Sequence, residues 1–203
     1  MTIRMDEPMR PPIQLRAFNL PNLLTYGRIA AAPLVGATYY IQGDWGPWIA
    51  FVIFTLASIT DYFDGYLARI WEQQSALGRM LDPIADKLLV SVSILILVED
   101  GLLDGWSMWA AIIVLMREIF VSGLREFLAE LRVSVPVSRL AKWKTTMQLI
   151  AIAALLIAPA LQGAKSGLLI DLGLTFFWAT AIVTLYTGYD YFRAGLKQLV
   201  EGE

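Results

Sequence analysis

The sequence predicts an all-α integral membrane protein, with six transmembrane helices in one bundle. Three observations carry this expectation. Hydrophobic residues make up 57% of the 203-residue chain and the mean hydropathy is +0.58, both above the range of ordinary soluble domains. The apolar residues fall into six runs of ~20, each sufficient to cross ~30 Å of hydrocarbon. Of the 16 Lys and Arg, only Lys165 falls on one side of the resulting topology, so the positive-inside rule predicts both termini cytoplasmic. The absence of Cys and His excludes disulfides, thiolate nucleophiles, imidazole bases and Cys/His zinc sites. The net charge of −2 gives no footprint for nucleic acid, and no nucleic-acid partner is expected.

Residues 1–21 read as an N-terminal tail, with a short interfacial helix within Ile13–Leu20; 22–193 read as the membrane domain and 194–203 as a C-terminal tail. The first span, about Asn22–Ile41, follows Pro21 and has Asn22 as N-cap. Asn22, Thr25 and Arg28 recur at steps of three, so they share a face that is a candidate to line a polar pocket. Spacing alone slightly favours a simpler account, a cap plus an arginine snorkelling to the interface. Gly43–Gly46 turns the chain into the second span, about Pro47–Ile70, with Trp45 and Trp48 suited to an aromatic belt. A polar link over Trp71–Leu77 leads to the third span, about Gly78–Val98, then to an acidic turn. The fourth span, about Trp106–Phe127, contains Arg117 and Glu118 well inside it, where charge is costly. A basic connection precedes the fifth span, about Trp143–Leu161, and the sixth covers about Leu169–Phe192.

The most informative stretch is Asp61–Asp86. With the second span descending to the cytoplasm and the third returning, Asp61, Asp64, Asp82 and Asp86 lie at similar depth. Asp61 and Asp64 are three apart, and Asp82 and Asp86 four apart, so each pair shares a helix face. Pro83 then suits a helix whose regular part begins near Asp82. Four carboxylates so close repel strongly unless cations neutralise them, and an oxygen-only ligand set selects hard ions, Mg²⁺ or Mn²⁺. Two such ions would clamp phosphate oxygens. Gly65 and Ala68 extend the face of Asp61 with small side chains and leave room for a bulky group. Spacing alone also fits a divalent-cation transporter.

The pattern Asp61-x2-Asp64-Gly65-x2-Ala68-Arg69-x8-Gly78-x3-Asp82-x3-Asp86 resembles, at all eight fixed positions, the signature of the CDP-alcohol phosphatidyltransferases. The resemblance implies a six-helix membrane fold, usually dimeric. It also implies a metal-dependent reaction, with two Mg²⁺ or Mn²⁺ ions, in which a CDP-linked lipid, usually CDP-diacylglycerol, meets an alcohol and CMP is released. By the same resemblance, Asp61, Asp64 and Asp82 are metal ligands. Asp86 is the general base and a further metal ligand, unless it simply pairs with Lys87. Gly65, Ala68, Arg69 and Gly78, with Asn22, Thr25 and Arg28, hold the CDP-lipid. The setting implied is a bacterial inner membrane, multi-pass among membrane lipids, with the site facing the cytoplasm.

The segments NLPNLLTYGRIAAAPLV, MREIFVSGLREFL and KWKTTMQ resemble the branch of this family whose acceptor is glycerol 3-phosphate. An anionic acceptor also fits the charges. Arg117 and Arg125, eight residues apart, share a helix face, while Lys142 and Lys144 open the next span, so cations from two helices are candidates to hold an acceptor phosphate. Topology and anionic headgroups also account for loop cations, but not for Arg117 inside a span. Glu118 is expected to neutralise a neighbouring cation. Inositol phosphate and phosphatidylglycerol remain alternative acceptors.

Overall fold

The computed structural model describes residues 20–70, 76–130 and 139–201, and within them the side chains of Pro21, 62–70, Ala76, Arg79, Glu130, Arg139, Ala141, Lys142, Ala194 and 197–201 lie outside the described set. The interfacial helix expected within Ile13–Leu20 falls almost wholly outside it. The described residues form six α-helices and contain no strand: α1 Leu20–Ala37, α2 Trp45–Ile70, α3 Ala76–Glu99, α4 Ser107–Glu130, α5 Arg139–Ile157 and α6 Ala164–Glu201. Single 3₁₀ turns, Thr38–Tyr40 and Ala158–Ala160, tighten the ends of α1 and α5. The following links reverse the chain through glycines in the left-handed region, among them Gly43 at φ 75° and Gly163 at φ 64°, a conformation that costs a side-chain-bearing residue.

Helix directions alternate. Thr25 bonds Asp82 near the starts of α1 and α3, and Tyr39 bonds Glu99 near their ends, so α1 and α3 run parallel. Gly188 lies against Arg117 and Gly195 against Leu128, so α4 and α6 also run parallel. The starts of α1, α3 and α5 therefore gather with the ends of α2, α4 and α6. α1 packs between α2 and α3, which touch each other little; α6 packs on α5 and α4, and α5 joins the two groups through α2.

Small residues make these approaches possible. The buried core includes Ala31, Ala32, Ala50, Ala57, Ala110, Ala111, Ala151 and Ala181 beside Val35, Phe54, Leu97, Val114 and Phe177. Helices in lipid gain nothing from burying apolar surface that lipid would cover equally well, so close backbone contact and dispersion hold them together. Large apolar side chains such as Leu95, Ile119, Phe120 and Ile182 cover the outside. Among the described residues three segments are long and apolar enough to cross a membrane: Ser107–Ala129, Trp143–Ala160 and Ala164–Arg193. A shorter apolar stretch, Trp45–Asp61, ends on the first carboxylate of the signature.

Two expectations about boundaries change. α3 begins at Ala76, so Pro83 stands in the helix interior, not in its first turn, and removes one backbone hydrogen bond there. α6 continues to Glu201, through most of the segment read as a tail, because Leu, Lys and Gln beyond Phe192 sustain a helix after the apolar run has ended. At 38 residues it is about 57 Å long, well beyond the hydrocarbon thickness.

Gly46, in the first turn of α2, tests this packing. A Cβ there would meet Ile41 O at 2.8 Å and Thr38 O at 2.9 Å, both rigid backbone. Gly46→Ala is expected to cost about 1–3 kcal/mol, read as a lower melting temperature in detergent than that of Gly27→Ala, where a Cβ meets nothing within 4 Å.

Candidate active site

Asn22, Thr25 and Arg28 are all buried on the face of α1 that enters the cleft between α2 and α3. Thr25 Oγ1 donates to Asp82 Oδ1 at 2.5 Å. Arg28 Nη1 donates to Asp86 Oδ1 at 2.7 Å and pairs with Asp61 Oδ1 at 2.8 Å. One nitrogen with two hydrogens thus serves two carboxylates from two helices. The snorkelling account of Arg28 is corrected: its side chain is 0% exposed, against 39% for Asp61 and 45% for Asp86. The reason is the position of α1. A residue on its inner face, flanked by α2 and α3, has no route to the interface, and two anions compensate the buried guanidinium.

The pairing of Asp86 with Lys87 is not what forms; Asp86 bonds Arg28, and Lys87 Nζ donates back to Pro83 O at 3.1 Å. Gly78 is buried in the first turn of α3. Asp64, Gly65, Ala68 and Arg69 follow Asp61 on the unbroken α2 helix, but their side chains lie outside the described set. Among the described residues no group of three or more acidic side chains is gathered tightly enough to enclose a metal ion. What the described residues bring together is Asp61 with Asp86 across Arg28, and Asp82 with Thr25.

A second polar cluster lies at the same end, between α4, α5 and α6. Lys144 Nζ donates to Glu118 Oε1, the same oxygen that Arg117 Nη1 approaches at 3.7 Å. Arg117 Nη2 also reaches Thr187 Oγ1 at 3.4 Å, and its stem lies against Gly188, where a Cβ would come within 3.3 Å. Lys144 is buried. Arg125 is exposed two turns beyond Arg117, and the side chain of Lys142 lies outside the described set. Sequence reasoning missed Thr187, Gly188 and the buried Gln148. Only Gln148 carried a signal, being an amide four residues after Lys144 in an apolar run.

Near the carboxylates, a largely apolar groove of about 450 Å³ opens between α2 and α5, lined by Phe54, Ser58, Ile59, Leu149 and Ile150 among others. Ser58 is three residues from Asp61, about one turn. A cavity of about 420 Å³ at the far end, by Thr38, Gly46 and Asp100, is remote from both clusters.

Because Arg28 is enclosed while its anions are partly solvated, its removal should leave Asp61 and Asp86 repelling across the cleft. Arg28→Met is expected to lower stability by about 1–3 kcal/mol. Adding Asp86→Asn should restore part of the loss, and thermal melts of the two single variants and the double variant measure the coupling.

The chain matches the CDP-alcohol phosphatidyltransferase family over residues 18–186. It is 46% identical over 182 residues to a protein of Rickettsia bellii, covering 88% of this chain and 96% of that one. It is 38% identical over 215 residues to one of Cereibacter sphaeroides, covering 90% and 97%. It is likewise 38% identical over 186 residues to one of Escherichia coli strain K12, covering 91% and 98%. Each of the three is named CDP-diacylglycerol–glycerol-3-phosphate 3-phosphatidyltransferase. With its signature carboxylates on α2 and α3 and a match over most of its length, this chain belongs to the CDP-alcohol phosphatidyltransferase family.

Proposed function

We propose that this protein transfers the phosphatidyl group of CDP-diacylglycerol to glycerol 3-phosphate, giving phosphatidylglycerophosphate and CMP. The observation that carries this reading is the junction of α1, α2 and α3, where Arg28 and Thr25 bring Asp61, Asp82 and Asp86 to one end of the bundle. The names of the relatives support the choice of acceptor. So does the second cluster, which sets Arg117 and Lys144 close to the same end.

All six helices span a bacterial cytoplasmic membrane in this reading, within a single domain over 22–193. The alternating directions support it, and the bias of Lys and Arg supports a cytoplasmic side for both termini and the carboxylate end. The enzyme works as a homodimer, as the family resemblance implies.

The donor set fits a hard divalent cation. It offers carboxylate oxygens alone, and Asp61 and Asp86 already converge on a positive group, Arg28. Asp61, Asp64 and Asp82 would hold Mg²⁺ or Mn²⁺, with Asp86 beside them. When bound, two such ions supply neutralisation of the diphosphate and of the charge that builds on CMP.

The chain's own side chains do the rest. Arg28 orients Asp86, which takes the proton of the acceptor hydroxyl as that oxygen attacks the lipid-side β-phosphorus and the bond to CMP breaks. Gly65, Ala68, Arg69 and Gly78, with the polar face of α1, hold the CDP moiety. The groove between α2 and α5 gives the lipid's apolar part a place beside Asp61. Arg117 and Lys144, with Arg125 and Lys142 further out, bind the acceptor's phosphate.

The deciding measurement is CMP release from CDP-diacylglycerol by the purified protein, with and without glycerol 3-phosphate and Mg²⁺. Release should require both, and activity that survives exhaustive chelation excludes the metal assignment. Asp86→Asn should lower kcat about 10²- to 10⁴-fold. Arg117→Gln should act on the acceptor, with KM for glycerol 3-phosphate rising about tenfold or more for a lost charge-assisted hydrogen bond. A panel with inositol phosphate and phosphatidylglycerol checks the acceptor, and turnover with either in place of glycerol 3-phosphate overturns it.

A further inference from the structure

Glu118 is an anomaly in a pocket meant for an anion. Lys144 is 2% exposed and Glu118 20% exposed, and the ammonium rests directly on the carboxylate. Arg117 Nη1 approaches the same oxygen at 3.7 Å. Two cations converging on one carboxylate oxygen is also the arrangement that receives one oxygen of a phosphate. An ammonium enclosed as fully as Lys144 cannot stand without a counter-ion, because the energy of taking it from water would go uncompensated. Of the two partners only Glu118 retains a path to solvent.

We infer that Glu118 is the resident counter-anion of the acceptor pocket. It holds Lys144 while the pocket is empty, releases it to the incoming phosphate, and so sets how strongly the pocket takes a phosphomonoester. A phosphomonoester brings up to two charges and three acceptor oxygens against a carboxylate's one charge, so it can displace the carboxylate where a monoanion gains little.

Two unfilled groups fit the same class of ligand. Arg117 Nε is buried with no hydrogen-bond partner among the described residues, and so is Gln148 Oε1, one turn beyond Lys144 on the same face of α5. A phosphate oxygen accepts from the first and an alcohol hydroxyl donates to the second, which describes a phosphorylated polyol. The inference rests on the assignment of Arg117 and Lys144 to the acceptor.

The test is Glu118→Gln, which keeps the shape and removes the charge. In the CMP-release assay KM for glycerol 3-phosphate should fall about five- to tenfold, the change appearing in KM and not in kcat. Independently of activity, the variant should melt below wild type in phosphate-free detergent buffer and gain more than wild type from added inorganic phosphate. A KM equal to or above that of wild type, or a phosphate gain no larger than that of wild type, overturns the inference. Should Glu118→Gln fail to fold, Glu118→Asp, whose shorter carboxylate grips Lys144 less well, is read by the same two criteria with smaller shifts in the same direction. If wild type releases no CMP with glycerol 3-phosphate, the acceptor assignment fails on that result alone, while the melting comparison still decides the role of Glu118.

Discussion

One guanidinium organises the chemical end of this bundle. Arg28 Nη1 joins Asp61 of α2 to Asp86 of α3, and the two helices otherwise have little contact. A charge this enclosed would be expelled if it were alone, and two carboxylates this near would separate if nothing lay between them. Each is stable only with the other. α1 is therefore the central member of its group, and Thr25 on Asp82, one turn earlier, fixes the register of α1 against α3.

The surroundings of this pairing are those of a protein whose solvent is lipid. Alanines stand at many contacts between helices, beside buried Phe54, Leu97 and Phe177, while many other large apolar side chains face outward. Glycines on α6 continue the logic into the second cluster. Gly173 meets Leu155, Gly195 meets Leu128, and Gly188 admits the stem of Arg117. Here a missing side chain places a charge, since α6 passes close enough beside Arg117 for it to reach Thr187.

Much of this was legible in the residues. The turn at Gly43, the approximate extent of most helices, and the similar depth of Asp61 on α2 and Asp86 on α3 follow from hydropathy, glycine and helical spacing. What spacing cannot supply is the neighbour. It put Asn22, Thr25 and Arg28 on one face of α1 but not that face between two other helices, so spacing alone leaned slightly to a snorkelling arginine over a pocket-lining one. It could not pair Lys144 with Glu118, 26 residues away on another helix. The end of α6 was lost for a different reason: hydropathy marks where lipid stops, and helix propensity carries on beyond it.

The two clusters follow a common rule with opposite signs. At α1–α3 two anions share a cation that is wholly enclosed, and at α4–α6 two cations share an anion that is partly exposed. In each, the lone ion keeps the other two from standing bare, and at α4–α6 it sits where the acceptor's phosphate binds in the proposed reaction. A site with low dielectric on several sides cannot wait for its substrates with bare charges, because the energy of holding them would exceed what the fold can supply. In the inferred role of Glu118, an internal counter-ion lets the bundle fold first and exchange partners later. It also makes binding an exchange of one ion pair for another, so affinity depends on the difference between them. This chain has no imidazole or thiol whose charge could adjust near neutral pH, and the inferred exchange at Glu118 would keep a charged site both stable and ready.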